Sequence, residues 1–258
     1  MTAPITIGGL FSGIGGLELG LERGLRSSGV DCATSWQCEI EPFARSVLRK
    51  HWPQVQQFDD ITTITQVPYV DLICGGFPCQ DLSRAGVQRG IDGARSSLFF
   101  ELMRVVRMVR PRFVVLENVT DLLTIHDGAA MGAVLRELAE SGYDAEWDCI
   151  PAKAVGAAHE RDRIFIVAYT RKTRSQKRSQ VNCLPVATAT SWLHECTAAL
   201  VPWNRVAVCP PATVRVVDGV PARLDLDRIG ACGNAVVPQV AEVIGRRVAQ
   251  LVLEGMQG

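Results

Sequence analysis

The segment "GGFPCQDLSRAG", from Gly75 to Gly86, sets one cysteine, Cys79, between Pro78 and Gln80, directly after the apolar run "VDLIC". A thiolate is a strong nucleophile at neutral pH even when only a small fraction is ionised, and a helix N-terminus or nearby arginines raise that fraction. Pro78 fixes one backbone angle ahead of the thiol, while Gly75, Gly76 and Gly86 let the loop pass close to a ligand. Further along, "LENV" carries Glu117 at the end of an otherwise apolar strand, where burial should raise the carboxyl pKa and keep a proton available. Together the two supply a nucleophile and an acid. No Cys-His-Asn arrangement has a recognisable local context, so the pair does not read as a cysteine hydrolase.

The first predicted strand runs into "LFSGIGGLELG", a glycine-rich turn ahead of a helix. Such turns hold nucleotides, and they also occur simply for tight packing. The dinucleotide fingerprint G-x-G-x-x-G requires glycine where this chain has Glu18, and a carboxylate beside a pyrophosphate repels it. The turn therefore suits a ligand with an adenosine and no phosphates. Glu39 ends the second strand roughly 20 to 25 residues beyond the turn, where open α/β sheets bind ribose hydroxyls. Asp60, in "FDDIT", could accept a hydrogen bond from the adenine amino group. Each of these two carboxylates either contacts a ligand in this way or only caps the helix that follows it.

The elements that must position these residues are legible as alternating patterns. "ITIGGLF", "DCATSWQCEI", "VDLICGG", "RFVVLENV" and "RIFIVAY" read as strands. Between them, Leu98, Leu102, Val105, Val106 and Val109, and then Met131, Val134, Leu135 and Leu138, recur at helical spacing. Alternation of this kind predicts an α/β fold, a mostly parallel, doubly wound sheet with helices on both faces. The pattern stops near Tyr169, and from residue 170 to 228 the chain is irregular, with scattered proline and threonine and the basic run "RKTRSQKR". Helical spacing returns in Val237, Val240, Ile244, Val248 and Leu251, with Asn234 near its start and Pro238 in its first turn. The expected organisation is one domain built from residues 1–169 and 229–258, interrupted by a small segment, 170–228.

A chain of 258 residues with 47% hydrophobic and 21% charged residues can bury a full core. No apolar run approaches the roughly 18 residues of a membrane span, and the N-terminus lacks the pattern of a signal peptide, so a soluble cytoplasmic protein is expected. Nine cysteines without C-x-x-C pairs or His-Cys clusters argue against a disulfide framework or structural zinc, and no metal is expected. Most should be buried small hydrophobes. A net charge of zero means that any nucleic-acid partner must be held by a local patch.

Taken in order, "LFSGIGGLELGLE", "CEIEPFA", "DDIT", "GGFPCQDLSRAG", "LENV", "HERDRIFIVA" and "GNAVVPQVA" resemble the motifs of the cytosine-5 DNA methyltransferases, especially compact phage-type and restriction-modification members. The resemblance covers nearly the whole chain. It implies a Rossmann-like S-adenosylmethionine-dependent fold and methyl transfer to carbon 5 of a cytosine flipped out of duplex DNA. Cys79 would add to carbon 6 while Glu117 hydrogen-bonds or protonates ring nitrogen 3, with Arg161 and Arg163 near the flipped base and the phosphate backbone. Gln80, Ser83 and Arg84 would belong to a DNA-binding loop that closes over the target. The cofactor would touch Phe11, Gly13, Ile14, Gly15, Gly16 and Leu17, then Glu39, Ile40, Asp60, Ile61, Pro78 and Leu98. Asn234 and Val236 would complete its site from the C-terminal return.

The implied partner is double-stranded DNA, with no membrane, a monomer as the default, and a cognate restriction endonuclease where the chain serves a restriction-modification system. The irregular segment would recognise the target, and "RKTRSQKR" would read bases, grip phosphates or remain a solvated face. Two positions depart from the pattern. Gly9 stands where the family usually carries an acidic residue, which implies a missing contact to the methionine amino group and weaker cofactor affinity, and His159 replaces a common glutamine. The competing readings are the same chemistry on tRNA, against which Gln80 argues, and a non-catalytic DNA-binding relative, against which the presence of Cys79 and Glu117 argues.

Overall fold

β-Branched and aromatic runs become strands where the alternation predicts them. In the computed structural model, which describes residues 3–78, 98–157, 161–170, 231 and 233–256, these are Ile5–Leu10 (β1), Cys32–Cys38 (β2), Leu72–Gly76 (β4), Phe113–Val119 (β5) and Asp162–Thr170 (β7). Two further strands, Gln56–Phe58 (β3) and Tyr143–Pro151 (β6), complete a seven-stranded sheet of order β3-β2-β1-β4-β5-β7-β6. β1 to β5 pair in parallel, whereas β7 runs antiparallel to both β5 and β6. The sheet is thus mostly parallel, with one reversed strand that the sequence patterns did not distinguish.

Helices Gly16–Ser27 (α1), Pro42–His51 (α2), Leu98–Val109 (α3), Ala129–Glu140 (α4) and Pro238–Met256 (α5) cover the sheet. Pro42 occupies the first turn of α2, where its missing N–H costs nothing, and Arg49, Lys50 and His51 close that helix at its negative end. The last helix begins at Pro238, so Val237 lies just outside it. β5 shows how the two layers are made. Phe113 and Val115 join Leu21, Leu25, Val243 and Ile244 on one face, while Val114 and Leu116 join Phe99, Leu102, Val134 and Leu138 on the other. Burial on both faces explains why this strand reads as a continuous apolar run. Among the described residues, no helix is long and apolar enough to cross a membrane.

The C-terminal helix is held by backbone contact. α1 presents Gly20 and Gly24 to α5, and a side chain at Gly20 would run into the Pro238 carbonyl and the Ala241 methyl group. At Gly24 a Cβ would lie 2.7 Å from the Arg246 backbone nitrogen and would also meet the Glu242 carbonyl. Glycine ordinarily weakens a helix by about 1 kcal/mol relative to alanine, so its recurrence here reflects the separation of the two axes rather than helical preference. The spacing was visible in "GLELGLERG", but the partner, more than 200 residues away, was not.

Two substitutions separate these effects. Gly20→Ala should lower stability by about 1–3 kcal/mol through overpacking, because it forces α5 away from α1. Gly132→Ala, in α4 with open space around it, should raise stability by roughly 0.5–1 kcal/mol. Urea unfolding of the two variants beside the native chain measures both.

Candidate active site

The ends of β1, β2, β4 and β5 open on one edge of the sheet, the place where a parallel sheet exposes loops and helix N-termini to a ligand. A cleft of about 1040 Å³ lies there. From the expected cofactor residues it takes Phe11 and Gly13 of the glycine-rich turn, Glu39 and Ile40 after β2, and Asp60 and Ile61 after β3. Pro78, Leu98 and Asn234 form other parts of its wall, and Glu117, Arg161 and Arg163 line it too. Leu17 and Val236 line a smaller cavity beneath. Ile14, Gly15 and Gly16 line neither. Gly15 sits in the left-handed conformation where a Cβ would press on the Trp52 ring, and Gly16 lies against the Val236 carbonyl, so neither position has room for a side chain. Phe11 also has a positive φ of 54°, a strained backbone for a bulky residue and of the kind concentrated at ligand sites.

Glu39 fastens two of these loops together. One carboxyl oxygen accepts from the Gly13 amide at 2.7 Å and the other from the Glu41 amide at 2.9 Å. This exceeds a simple cap, since the glycine turn and the entry to α2 share one anchor. Asp60 does cap. It accepts from the Thr62 amide at 2.9 Å and from the Thr62 hydroxyl at 2.8 Å, which hold its carboxyl below the usual range. Ile40, 66% exposed, offers an apolar face beside them.

Glu117 lies deeper, opposite Gly76 on β4 and Phe165 on β7. A Cβ at Gly76 would stand 2.8 Å from its carboxyl oxygen, so this glycine makes room for Glu117 itself. Burial pushes the Glu117 carboxyl up, while Arg163 and Arg161 pull it down, and the balance remains upward. Arg163 Nε stands 3.0 Å from the carboxylate. Arg161 donates to the Gly233 carbonyl at 2.6 Å, tying the start of β7 to the C-terminal return. One residue that the pattern reading left out of the site is Asn118. Buried beside Glu117, it donates from Nδ2 to the Phe77 carbonyl at 2.9 Å and accepts from the Val119 amide at 2.8 Å. It therefore fixes the backbone just ahead of Pro78.

Cys79, Gln80, Ser83 and Arg84 lie outside the described residues, as do Gly86, His159 and the segment 171–228. The described thiols are unsuited to nucleophilic attack. Cys32, Cys38 and Cys74 are buried, and burial drives Cys32 up to about 11 and Cys38 up to about 12. Among the described residues no three His, Cys, Asp or Glu side chains gather as they would around a metal ion.

Glu18 is a further acid of the site, the most deeply buried among the described residues. It is 1% exposed and borders the small cavity. Burial raises its carboxyl from 4.5 to about 7, with the neighbouring Glu39 charge adding to the rise and the Ser12 hydroxyl and Gln37 amide easing it. Because the folded chain holds this proton more tightly than the unfolded one, stability falls as pH rises from about 4.5 to about 7. The total loss is about 3 kcal/mol. Glu18→Gln should remove that fall, so its stability advantage over the native chain should be larger at pH 8 than at pH 4.5 by about that amount. Urea unfolding of both chains at the two pH values checks it.

A family model for C-5 cytosine-specific DNA methylases matches residues 5–194. The type II methyltransferase M2.BsuMI of Bacillus subtilis is 39% identical over 163 residues, covering 62% of this chain and 40% of that protein. The type II methyltransferase M.NgoBV of Neisseria gonorrhoeae is 35% identical over 167 residues, covering 61% of this chain and 39% of that one. The chain thus spans about two fifths of the length of these curated relatives. A DNMT2 structure from Spodoptera frugiperda shares the fold at a TM-score of 0.50 and 22% identity, over 64% of this chain and 50% of that one. With the family model covering most of its length, the chain belongs to the C-5 cytosine-specific DNA methylases.

Proposed function

We propose that this chain transfers a methyl group from S-adenosylmethionine to carbon 5 of cytosine in double-stranded DNA. The observation that carries the reading is the deep carboxyl of Glu117, its pKa raised by burial and its flanks held by Arg161 and Arg163, on the wall of the cleft that Pro78 borders immediately ahead of Cys79.

The cleft fits the cofactor. Its polar wall carries the carboxylates Glu39 and Asp60 with Glu18 below, which suits hydroxyls and cationic groups and disfavours a pyrophosphate. Phe11, Ile40 and Leu98 supply apolar contact for an adenosine. When bound, S-adenosylmethionine supplies an electrophilic methyl group on a sulfonium.

The chain's own residues would do the rest. Carbon 5 of cytosine is a weak nucleophile, so the Cys79 thiolate adds to carbon 6 and the electron pair moves toward ring nitrogen 3, where Glu117 holds or donates a proton. Arg163 and Arg161 orient that carboxyl and carry positive charge toward the base and its phosphates. After carbon 5 has accepted the methyl group, a base removes its proton and the Cys79–carbon 6 bond breaks, returning the thiolate. The reacting atoms are unreachable within a base stack, so the nucleotide must leave the duplex. Gln80, Ser83 and Arg84, with the segment 170–228, would contact DNA. The catalytic body would comprise 1–169 and 229–258.

DNA carrying 5-fluorocytosine in varied sequence contexts, incubated with S-adenosylmethionine, tests the reading. Fluorine blocks the final proton removal, so the native chain should form an adduct that survives denaturation and Cys79→Ala should form none. Sequencing the trapped DNA gives the recognition site. Glu117→Gln should slow adduct formation by about 10²-fold or more, the scale of a lost acid catalyst. A cofactor-binding chain that traps no DNA in any context would point to an RNA substrate or to a protein without the reaction.

A further inference from the structure

Within the site so read, the first turn of α1 carries an acid that the methyl-transfer chemistry leaves unused. Both Glu18 carboxyl oxygens are buried and neither makes a well-formed hydrogen bond, the Ser12 hydroxyl and the Gln37 amide lying only near enough to ease the charge. The Ser12 hydroxyl and both atoms of the Gln37 amide are likewise buried without a hydrogen-bond partner, although both side chains lie close enough to influence the Glu18 charge. Three adjacent buried polar side chains without well-formed bonds are costly in a folded interior, where nearly every such group is paired. Their arrangement makes sense if a further group, with several donors and a positive charge, joins them.

The space for that group is present. A cavity of about 50 Å³ is bordered by Ser12, Glu18 and Leu17, and it shares Phe11, Gly13, Gly76, Glu117 and Asn234 with the large cleft. Its volume admits one small group, since a water molecule takes roughly 30 Å³ in the liquid. Gly9 of β1 faces two of its lining side chains, Glu18 and Ser12. A side chain there would collide with Glu18 Oε1 and would stand 2.6 Å from Ser12 Oγ, so the strand residue must be bare for the helix carboxylate to reach this place.

We infer that Glu18, supported by Ser12 and Gln37, binds the α-ammonium group of the cofactor's amino-acid end. An ammonium has three donors and no acceptor, which matches a carboxylate and neighbouring oxygen acceptors. A sulfonium donates no hydrogen bond, and its methyl group must face the base in the large cleft. A metal ion would find only one carboxylate at this depth besides Glu117, which the arginines already engage. Burial alone leaves Glu18 titrating near neutrality, and a bound cation would hold it ionised.

The inference rests on the cofactor assigned above, and its test separates the two. S-Adenosylhomocysteine and its analogue with hydrogen in place of the α-amino group are titrated calorimetrically into the full native chain and into Glu18→Gln. The native chain should bind the amino compound roughly tenfold or more tightly than the analogue. Glu18→Gln should lose that preference by weakening only the amino compound. Equal native affinities for the two ligands overturn the inference while leaving the cofactor assignment intact, and they do so with no variant required. A preference that survives in Glu18→Gln, or a loss that falls on both ligands alike, also overturns it. Binding of neither ligand, nor of S-adenosylmethionine, to the native chain removes the cofactor reading and this inference together.

Discussion

Everything at the cleft depends on how closely α1 and α5 approach. The two helices are separated by most of the chain, and closing so long a loop costs entropy that contacts at the seam must offset. Gly20 and Gly24 allow backbone to meet backbone there, and Gly245 answers from α5, where a Cβ would stand 2.6 Å from the Leu21 carbonyl. Close approach maximises dispersion contact, and it also sets the height at which the chain enters α5. That height matters for the site. Residues 233–236 immediately precede the helix and supply Asn234 to the cleft, Val236 to the cavity under it and the Gly233 carbonyl to Arg161.

The seam therefore couples packing to electrostatics. Arg161, half-withdrawn from water, is held by a carbonyl from the returning chain, and from that position it acts on Glu117 together with Arg163. Burial lowers the Arg161 pKa and so does the Arg163 charge beside it, which shows that two guanidinium groups share one carboxylate at some cost. Four of the acids around the cleft consequently divide by depth. Glu39 and Asp60 near the rim have backbone amides as partners, Glu117 has arginines, and Glu18 has only the Ser12 and Gln37 side chains nearby, without a well-formed bond to either. An acid's surroundings, more than its type, decide which can anchor a loop, hold a proton or await a cation.

Most of the sheet was legible because β1, β2, β4, β5 and β7 are apolar on one or both faces. β6 was not. Its sequence "YDAEWDCIP" mixes charged and apolar residues because it is one of the two edge strands, with Trp147 38% exposed and Glu146 paired to Arg247 of α5. β3 spans only three residues and carries no periodicity. The reversal of β7 was also invisible, since a buried strand looks the same in either direction and its hydrogen-bonding sense is set by the neighbour. For the site, the rim carboxylates and Glu117 stood out by their positions at strand ends. Asn118 did not, because its role depends on a carbonyl 41 residues away across the sheet.

Gly9 shows the limit of reading one position at a time. Against the family pattern that the chain resembles, its missing side chain implies a lost carboxylate, and hence a weaker hold on the cofactor. In the fold, the volume that such a side chain would occupy is filled by Glu18, which arrives from the next element rather than from the strand. Glu18 is also the carboxylate that stands where the dinucleotide fingerprint requires glycine and that disfavours a pyrophosphate. The two observations are one. A helix residue nine places on occupies the space left by a bare strand residue, so a carboxylate stands there although the strand supplies none, and the ammonium role proposed for Glu18 depends on that placement.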